Sequence, residues 1–333
     1  MKKGICVAGN MIVDHIYPID SYPKAGELAV VLEGMSKSTG GALCNVVFDL
    51  ARLDPELPLT ALGMVGTDED GELILSLLKK FPNIDRSRIQ RQGKTSFTIV
   101  VNDMLTTQRT FFTYYGASAL FDESRIDWDN LDCDLLHIGY IMLLNALDQE
   151  DAEYGTKMAR LLHSAKQRGI RTSIDIVSES SDRPKRLVPP ALKYTDYCII
   201  NELEASAATD VPLRAEDGCL LKENLEAALI TLKEMGVSTW AVIHCPEGGY
   251  GLDEANTYTA VDGLRLPEGY IKGTVGAGDA FCSGVLYGAY RGYTLKEAIE
   301  LGTAAAACSL SEADSTSGLR PVEEAMAMYR RLR

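Results

Sequence analysis

The sequence predicts an α/β fold, namely a three-layer α/β/α sandwich with a mostly parallel central sheet and a small antiparallel β lid. Two observations predict it. Short apolar runs typical of buried strands alternate with longer segments whose apolar residues recur at helical spacing, and a few strand-like segments interrupt that alternation. Alternating strands and helices need crossover connections, which cover both faces of a parallel sheet with helices. We expect a single domain over residues 1–333.

The elements of the sandwich follow from these patterns. The predicted strands lie at 4–9, 59–65, 135–141, 171–176, 197–201 and 240–244. The predicted helices lie at 42–53, 71–81, 151–168, 223–235, 277–291 and 295–309. The last helix begins with a capping box, because the Thr294 hydroxyl and the Glu297 carboxylate can each satisfy a free backbone amide of the first turn.

Three strand-like segments, at 27–35, 95–101 and 109–115, break the alternation. No helix lies between the last two, so we expect a hairpin there. These pieces, drawn from about 16–36 and 95–119, predict the lid over the sheet. An edge hairpin with no role at a site is the alternative, because ordinary α+β sheets also contain such strands.

Composition excludes several classes of partner. Lys and Arg total 33 against 47 Asp and Glu, for a formal charge of −14, which argues against nucleic acid or an anionic membrane surface as the main partner. The eight cysteines form no C-x-x-C pair and favour a reducing cytoplasm. No apolar stretch of about 18 residues occurs, so we expect a cytoplasmic protein without a membrane span.

The strongest chemical signal is the glycine-rich segment 273–281. Gly276, Ala277 and Gly278 allow a tight turn whose backbone amides point one way, at the start of a predicted helix where the dipole favours an anion. Asp279 lies in the first turn, where it could take a proton from a hydroxyl that attacks a phosphate. The segment is neither a Walker A loop nor G-x-G-x-x-G. The alternative is a tight turn with Asp279 as a helix-initiating residue.

Other motifs accompany this segment in a definite order. They are Asp14 just past the first strand, Gly40-Gly41 followed by Asn45, Asn201 followed by Glu204, and the segment from Thr274 to Asp279. Together they resemble the signatures of the PfkB-type (ribokinase-like) family of carbohydrate kinases, over nearly the whole chain. The resemblance implies the ribokinase-like form of the sandwich.

The resemblance also implies a division of roles. Asp279 would be the catalytic base, and the backbone amides of residues 276–279 would form the anion hole. The sugar would contact Asp14, Gly40, Gly41, Asn45 and Arg109. ATP and Mg²⁺ would lie against Asn201, Glu204, Gly249 and Thr274. No direct protein ligand set is predicted for the metal, because Mg²⁺ keeps several of its waters. The family's lid strands often pair between subunits, which implies a homodimer through the lid.

The chain departs from the family pattern at the edge of the nucleotide site. Gly273 replaces the Asp that helps relatives hold a monovalent cation, so we expect little dependence on potassium. In segment 244–249 the chain keeps only Gly249, and Pro246 removes an amide donor. Asp314 stands where relatives favour glycine.

The predicted function is ATP-dependent phosphorylation of a hydroxymethyl group on a small sugar or polyol. A nucleoside kinase is one alternative, because the same fold serves both substrates and the aromatic lid residues Phe111, Phe112, Tyr114 and Tyr115 are compatible with a stacked base. A catalytically silent sugar-binding or regulatory homologue is the other, given the altered nucleotide loop. A dinucleotide-dependent oxidoreductase is excluded, because no G-x-G-x-x-G follows the first strand.

Overall fold

The computed structural model describes residues 3–106, 108–179 and 181–333. The strands, in chain order, are β1 (Ile5–Gly9), β2 (Ile12–Ile19), β3 (Ser36–Gly40), β4 (Leu59–Val65), β5 (Ile84–Asp85), β6 (Ile89–Arg91), β7 (Ser96–Asp103), β8 (Arg109–Tyr114), β9 (Leu135–Ile141), β10 (Glu150–Asp151), β11 (Gly155–Thr156), β12 (Arg171–Ile176), β13 (Tyr197–Asn201), β14 (Trp240–Cys245), β15 (Gly248–Leu252) and β16 (Tyr258–Asp262). The helices are α1 (Ala42–Leu53), α2 (Glu69–Leu78), α3 (Lys157–Gln167), α4 (Arg183–Leu192), α5 (Glu202–Thr209), α6 (Lys222–Glu234), α7 (Ala277–Arg291), α8 (Leu295–Ser309) and α9 (Val322–Leu332).

The central sheet has the order β16-β15-β14-β13-β12-β9-β1-β4-β5, and β6 also pairs with β4. The pairings from β14 through β5 are parallel, whereas β15 and β16 join the edge antiparallel. Strand β1 lies in the middle, where Ile5 pairs with Leu59 on one side and Leu135 on the other. The predicted mostly parallel sheet is confirmed.

Helices cover both faces of this sheet. Ile5 and Val7 of β1 point into a core shared with α1, α7 and α8, whereas Cys6 and Ala8 point into a core shared with α3, α4 and α6. Successive side chains on a strand face opposite sides, so a run of apolar residues in β1 serves both cores. The predicted three-layer sandwich is confirmed.

A separate small sheet forms the lid, in the order β3-β2-β7-β8. Its outer pairs, β2 with β3 and β7 with β8, are antiparallel, and the inner pair is parallel. The predicted hairpin of β7 and β8 is present. The strand predicted at 27–35 is wrong, because this segment is a largely exposed connection that makes only the isolated bridge of Val31 to Ile19. Its alternating apolar residues resemble a strand, yet Leu28 is 92% exposed.

The helices differ from the prediction mainly at their starts. The bounds of α1, α7 and α8 match the predicted ones. The helix predicted at 151–168 begins later, because β10 and β11 occupy the region before it and Thr156 caps α3 by accepting a hydrogen bond from the Ala159 amide (3.1 Å). Helices α4, α5 and α9 and strands β15 and β16 were not anticipated. Across the described ranges, no helix combines the length and the apolar character that crossing a membrane requires.

Candidate active site

The site lies where the parallel strands end. Tyr140 near the end of β9, Asp175 near the end of β12 and Asn201 at the end of β13 come to one edge of the sheet, because neighbouring parallel strands share their carboxyl-terminal edge. Crevices outside this edge are the usual ligand sites of open α/β sheets. The first turn of α7 reaches the same edge, because the Tyr140 hydroxyl hydrogen-bonds Asp279.

The glycine turn before α7 has the conformation that the sequence predicts. Gly276 caps the helix with φ of 82°, which is left-handed. A Cβ at this position would lie 2.4 Å from the Ser315 carbonyl oxygen, so a larger residue has neither the conformation nor the room. The amide of Gly278, and that of Ala277 with its long bond to the Thr274 carbonyl (3.5 Å), therefore sit at the positive end of a 15-residue helix, which favours an anion there.

Asp279 is buried and hydrogen-bonded at both oxygens. Its Oδ2 accepts a bond from Asn45 Nδ2 (2.8 Å), and the Tyr140 hydroxyl lies 2.8 Å from each oxygen. Burial raises the pKa of Asp279 to about 6, and the bonds from Asn45 and Tyr140 oppose that rise. A carboxylate with this pKa is ionised at neutral pH and is basic enough to take a proton.

Asn45 joins three parts of the chain. Its Nδ2 donates to Asp279 of α7, and its Oδ1 accepts a bond from the Ser315 hydroxyl (2.9 Å). Its backbone amide donates to the Gly41 carbonyl (3.0 Å) in the first turn of α1. The side chain is buried and satisfied at both ends, so its orientation is fixed.

The glycine pair before α1 packs closely on two polar residues. A Cβ at Gly40 would lie 2.8 Å from Asp14 Oδ2, and one at Gly41, whose φ is 88°, would lie 2.6 Å from the Asn10 carbonyl oxygen. Asn10 Oδ1 accepts a bond from the Ala42 amide (2.9 Å). Burial raises the pKa of Asp14 to about 6, and His15 opposes that rise. Sequence reasoning missed Asn10, although a polar residue directly after a buried strand is a usable signal.

A cavity of about 50 Å³ lies between the lid and the sheet. It is lined by Asn10, Ile12, Ser96, Thr98, Thr113, Tyr114, Tyr115, Ser118 and Leu143. Hydroxyl groups therefore predominate among its polar groups, and none of these lining residues is Lys, Arg or His. The Asp14–Gly40 contact lies beside it, because Asp14 pairs with Thr98 across β2 and β7.

Asn201 and Glu204 form a capping box at the start of α5. Asn201 Oδ1 accepts from the Glu204 amide, and Glu204 Oε2 accepts from the Asn201 amide, each at 2.9 Å. Ser178 donates to Glu204 Oε1 (2.7 Å). Burial raises the pKa of Glu204 to about 7, with Asp279 also raising it. Capping of α5 is enough to explain why Asn201 and Glu204 bond each other. It does not explain the raised pKa of Glu204, which is a feature more typical of functional sites.

Asp175 is a third buried carboxylate, and sequence reasoning missed it. Among the described residues, its one hydrogen-bond partner is the amide of the next residue, Ile176 (2.7 Å). Burial raises the pKa of Asp175 well above its usual value, and the negative charges of Glu204 and Asp279 raise it further. Within residues 3–106, 108–179 and 181–333, no three His, Cys, Asp or Glu side chains are close enough together to hold a metal by direct bonds.

Thr274 and Gly249, which were predicted to contact ATP and Mg²⁺, make no hydrogen bond to Asp279 among the described residues. Thr274 is exposed in the loop before Gly276, and its carbonyl accepts a long bond from Ala277 (3.5 Å). Gly249 lies inside β15, where a Cβ would be 2.5 Å from Ile299 Cγ2, so packing explains this glycine without a nucleotide.

Arg109 is not brought to the site. It is exposed at the start of β8, opposite Asn102. Thr113, which lines the cavity, is four residues further along the strand, or about 13 Å at the usual rise per residue. Arg109 therefore stands at the opposite end of β8 from the cavity-lining Thr113.

The chain is similar in sequence to several kinases of known name. The 2-dehydro-3-deoxygluconokinase of Bacillus subtilis is 27% identical over 301 residues, covering 88% of this chain and 87% of the relative. The nucleoside kinase of Methanocaldococcus jannaschii is 23% identical over 310 residues, covering 92% and 89%. The bifunctional protein HldE of Wolinella succinogenes is 24% identical over 336 aligned positions, and the match spans 95% of this chain but 63% of that protein.

Solved structures show the same fold. The ribokinase of Arabidopsis thaliana complexed with ribose and ATP superposes with a TM-score of 0.82 at 18% identity, covering 99% of both chains. The ribokinase of Thermotoga maritima superposes with a TM-score of 0.76 at 22% identity, covering 98% of this chain and 99% of the other. The model of pfkB family carbohydrate kinases matches residues 2–321. The chain therefore belongs to the pfkB family of carbohydrate kinases.

Proposed function

We propose that this chain uses ATP to phosphorylate a hydroxymethyl group of a small sugar or polyol, as one cytoplasmic kinase domain with a lid. One observation carries the proposal: a buried carboxylate, Asp279, stands in the first turn of α7 beside the N-terminal amides of Ala277 and Gly278. An anion hole and a base at one helix N-terminus are the parts that phosphoryl transfer to an alcohol needs.

The reaction follows from this arrangement. The sugar hydroxyls would bond Asp14 and Asn10 under the lid, leaving the hydroxymethyl group beside Asp279. Asp279 takes the proton as the alcohol oxygen forms its bond to the γ-phosphorus and the bond to the β-phosphate oxygen breaks. The amides of residues 276–278 stabilise the charge on the transferring group. The products are the sugar phosphate and ADP.

Mg²⁺ would bring charge neutralisation to the phosphates. Asp175 and Glu204 fit this ion, because both are buried and their pKa values are raised in part by neighbouring carboxylates. A cation nearby relieves that repulsion. Contact would run through water, since Mg²⁺ keeps several waters and takes few protein ligands.

The cavity favours a neutral substrate. Its lining carries hydroxyl groups and no cationic side chain, and Asp14 beside it is acidic. A buried anion without a cationic partner is disfavoured, so we expect neutral sugars and polyols to be better substrates than sugar acids, although the Bacillus subtilis relative is named for a deoxygluconate. A cavity of about 50 Å³ is also far below the roughly 300–1,000 Å³ of ligand sites, so the lid must open for entry.

A nucleoside is the second candidate substrate, because Tyr114 and Tyr115 line the cavity and could stack on a base. A silent sugar-binding protein is less well supported, because the bonds of Asn45 and Tyr140 hold Asp279 as a working base would need.

The test is a coupled ADP-release assay with pentoses, hexoses, sugar acids, polyols and nucleosides. Sugar-dependent ADP release is expected, and Asp279→Asn should lower turnover by about 10³-fold or more while sugar binding persists. Near-normal turnover in Asp279→Asn would remove Asp279 from its role. Sugar binding without any ADP release would support the silent homologue instead.

We also propose a homodimer through the lid. Leu28 and Val30 of the connection to β3 and Phe112 of β8 are 92%, 59% and 50% exposed, and large apolar side chains left in water favour a partner that covers them. Light scattering should give twice the mass of the 36.3 kDa chain. Phe112→Glu should shift the protein toward monomer, whereas a monomeric wild type would reject the dimer.

A further inference from the structure

The turn after β9 holds a buried methionine in a conformation that glycine favours. The Tyr140 carbonyl accepts a hydrogen bond from the Leu143 amide (3.1 Å), which closes a four-residue turn with Met142 in third place. Met142 has φ of 82°. Glycine or asparagine usually fills such a position, and a bulky residue there is strained. In the described part of the chain, the other non-glycine residues with positive φ are Asp210 and Asn256, whose side chains tolerate it.

Two side chains hold both backbone polar groups of Met142. Asp148 Oδ1 accepts a hydrogen bond from its amide (3.0 Å), and Arg183, the first residue of α4, donates to its carbonyl (3.0 Å). Arg183 also pairs with Asp148 (3.3 Å) and with Glu179 (2.7 Å). The Asp148 side chain is 7% exposed and the Arg183 side chain 34%, so the carboxylate is shielded from water and the guanidinium is partly exposed. Asp148 and Arg183 are called the turn clamp below.

Both ends of the clamped turn reach the site. At one end the Tyr140 hydroxyl donates to Asp279, and at the other end Leu143 lines the cavity under the lid. Strained backbone persists only where the surrounding structure holds it, and it is concentrated at functional positions. The clamp is therefore a fixed link between the base and the wall of the sugar cavity.

We propose that the turn clamp is a positioning device for catalysis. Asp148 and Arg183 keep Met142 in its strained conformation, and the turn in that shape keeps the Tyr140 hydroxyl on Asp279 and Leu143 on the cavity wall. The inference rests on the proposed kinase activity. The proposal adds Asp148 and Arg183 to the catalytic arrangement. Both lie outside the family motifs found in the sequence, and both would act through the turn and not on the substrate itself.

The test compares turnover in two backgrounds. Arg183→Met removes the bond to the Met142 carbonyl, and Asp148→Asn removes the ion pair more conservatively. Met142→Gly removes the strain itself, because glycine adopts positive φ freely. Arg160→Met is the matched control, since Arg160 pairs with Asp151 (2.6 Å) and, in the part of the chain that the structure describes, does not hydrogen-bond the turn. Thermal unfolding verifies that each variant is folded.

Arg183→Met and Asp148→Asn should lower kcat by about 10–100-fold, the scale of a misplaced catalytic group, with KM for ATP within about twofold. Arg160→Met should be unchanged. In the Met142→Gly background, Arg183→Met should lower kcat by less than about threefold, because the turn no longer needs the clamp. A kcat within twofold of wild type in both folded clamp variants, or an undiminished loss in the glycine background, would overturn the proposal. A wild type without sugar-dependent ADP release would instead refute the proposed function.

Discussion

Replacement of Tyr140 by phenylalanine tests how the protein sets the basicity of Asp279. The hydroxyl lies 2.8 Å from both carboxylate oxygens and donates its proton there. Burial, followed by the charge of Asp279, raises the pKa of Tyr140 well above its ordinary value, so the group stays a donor throughout the working range. Tyr140→Phe removes this bond and leaves the ring in place.

The size of the effect follows from the energy of such a bond. A hydrogen bond to a charged group contributes about 1.5–3 kcal/mol, and one pKa unit corresponds to about 1.4 kcal/mol. Loss of the bond destabilises the ionised form, so the pKa of Asp279 should rise from about 6 by roughly 1–2 units. As the proposed base, Asp279 would accept a proton only when ionised. Activity is therefore present above its pKa and lost as pH falls through it, and the variant should lose activity at higher pH than wild type.

The assay is kcat/KM for the sugar between about pH 5 and pH 9, measured by ADP release. The acid limb should move up by about 1–2 pH units in Tyr140→Phe. The pKa of Asp14 is also raised to about 6, but Asp14 makes no bond to Tyr140, so its titration should stay in place. Tyr154→Phe is the control, because that ring packs against His163 away from the site. An acid limb that stays where it is in wild type would refute the role assigned to Tyr140.

Three further outcomes are expected. Gly276→Ala should lower the free energy of unfolding by about 1–3 kcal/mol in urea titrations, because φ is 82° and the new Cβ would lie 2.4 Å from the Ser315 carbonyl oxygen; an unchanged midpoint would mean that the loop adapts. Potassium chloride and choline chloride should give rates within about twofold, because Gly273 has no carboxylate and its Cβ position lies 2.9 Å from the Ala313 carbonyl oxygen; a strong potassium requirement would show that another ligand substitutes. Binding of Mg²⁺ with a nucleotide near pH 7 should release protons, because a cation lowers the raised pKa of Glu204, which is about 7; calorimetry in buffers of different ionisation enthalpy measures this, and equal heats would contradict it.

The sequence was sufficient for the sandwich and for the glycine turn that precedes α7. The bounds of α7, Ala277–Arg291, follow from a glycine turn and from helical spacing, both of which are local. The pairing of Asn45 with Asp279 spans 234 positions, and no local pattern specifies it. It could be expected only because the family resemblance places both residues at the sugar.

What the sequence did not predict depends on tertiary contacts. The segment 27–35 alternates like a strand, but β2 finds its partners in β3 and β7, which leaves Leu28 exposed. The position of Arg109 depended on the length of the hairpin, which the residues alone do not specify. Asp175 lies near the end of the buried strand β12. Its pKa is raised by Glu204, which lies in the first turn of α5, and no local pattern places these two carboxylates together.

The three buried carboxylates explain why this edge of the sheet suits a kinase in an acidic protein. The charge of Asp279 raises the pKa values of both Asp175 and Glu204, and the charge of Glu204 further raises that of Asp175. Such a cluster is unfavourable for a bare phosphate and favourable for one that arrives with a divalent cation. In the proposed reaction, the helix amides of α7 would then need to hold only the transferring phosphoryl group. These carboxylates would repel free anions and accept a nucleotide whose charge is neutralised by a metal. Selectivity for the metal-bound nucleotide would therefore need no basic residue from the chain.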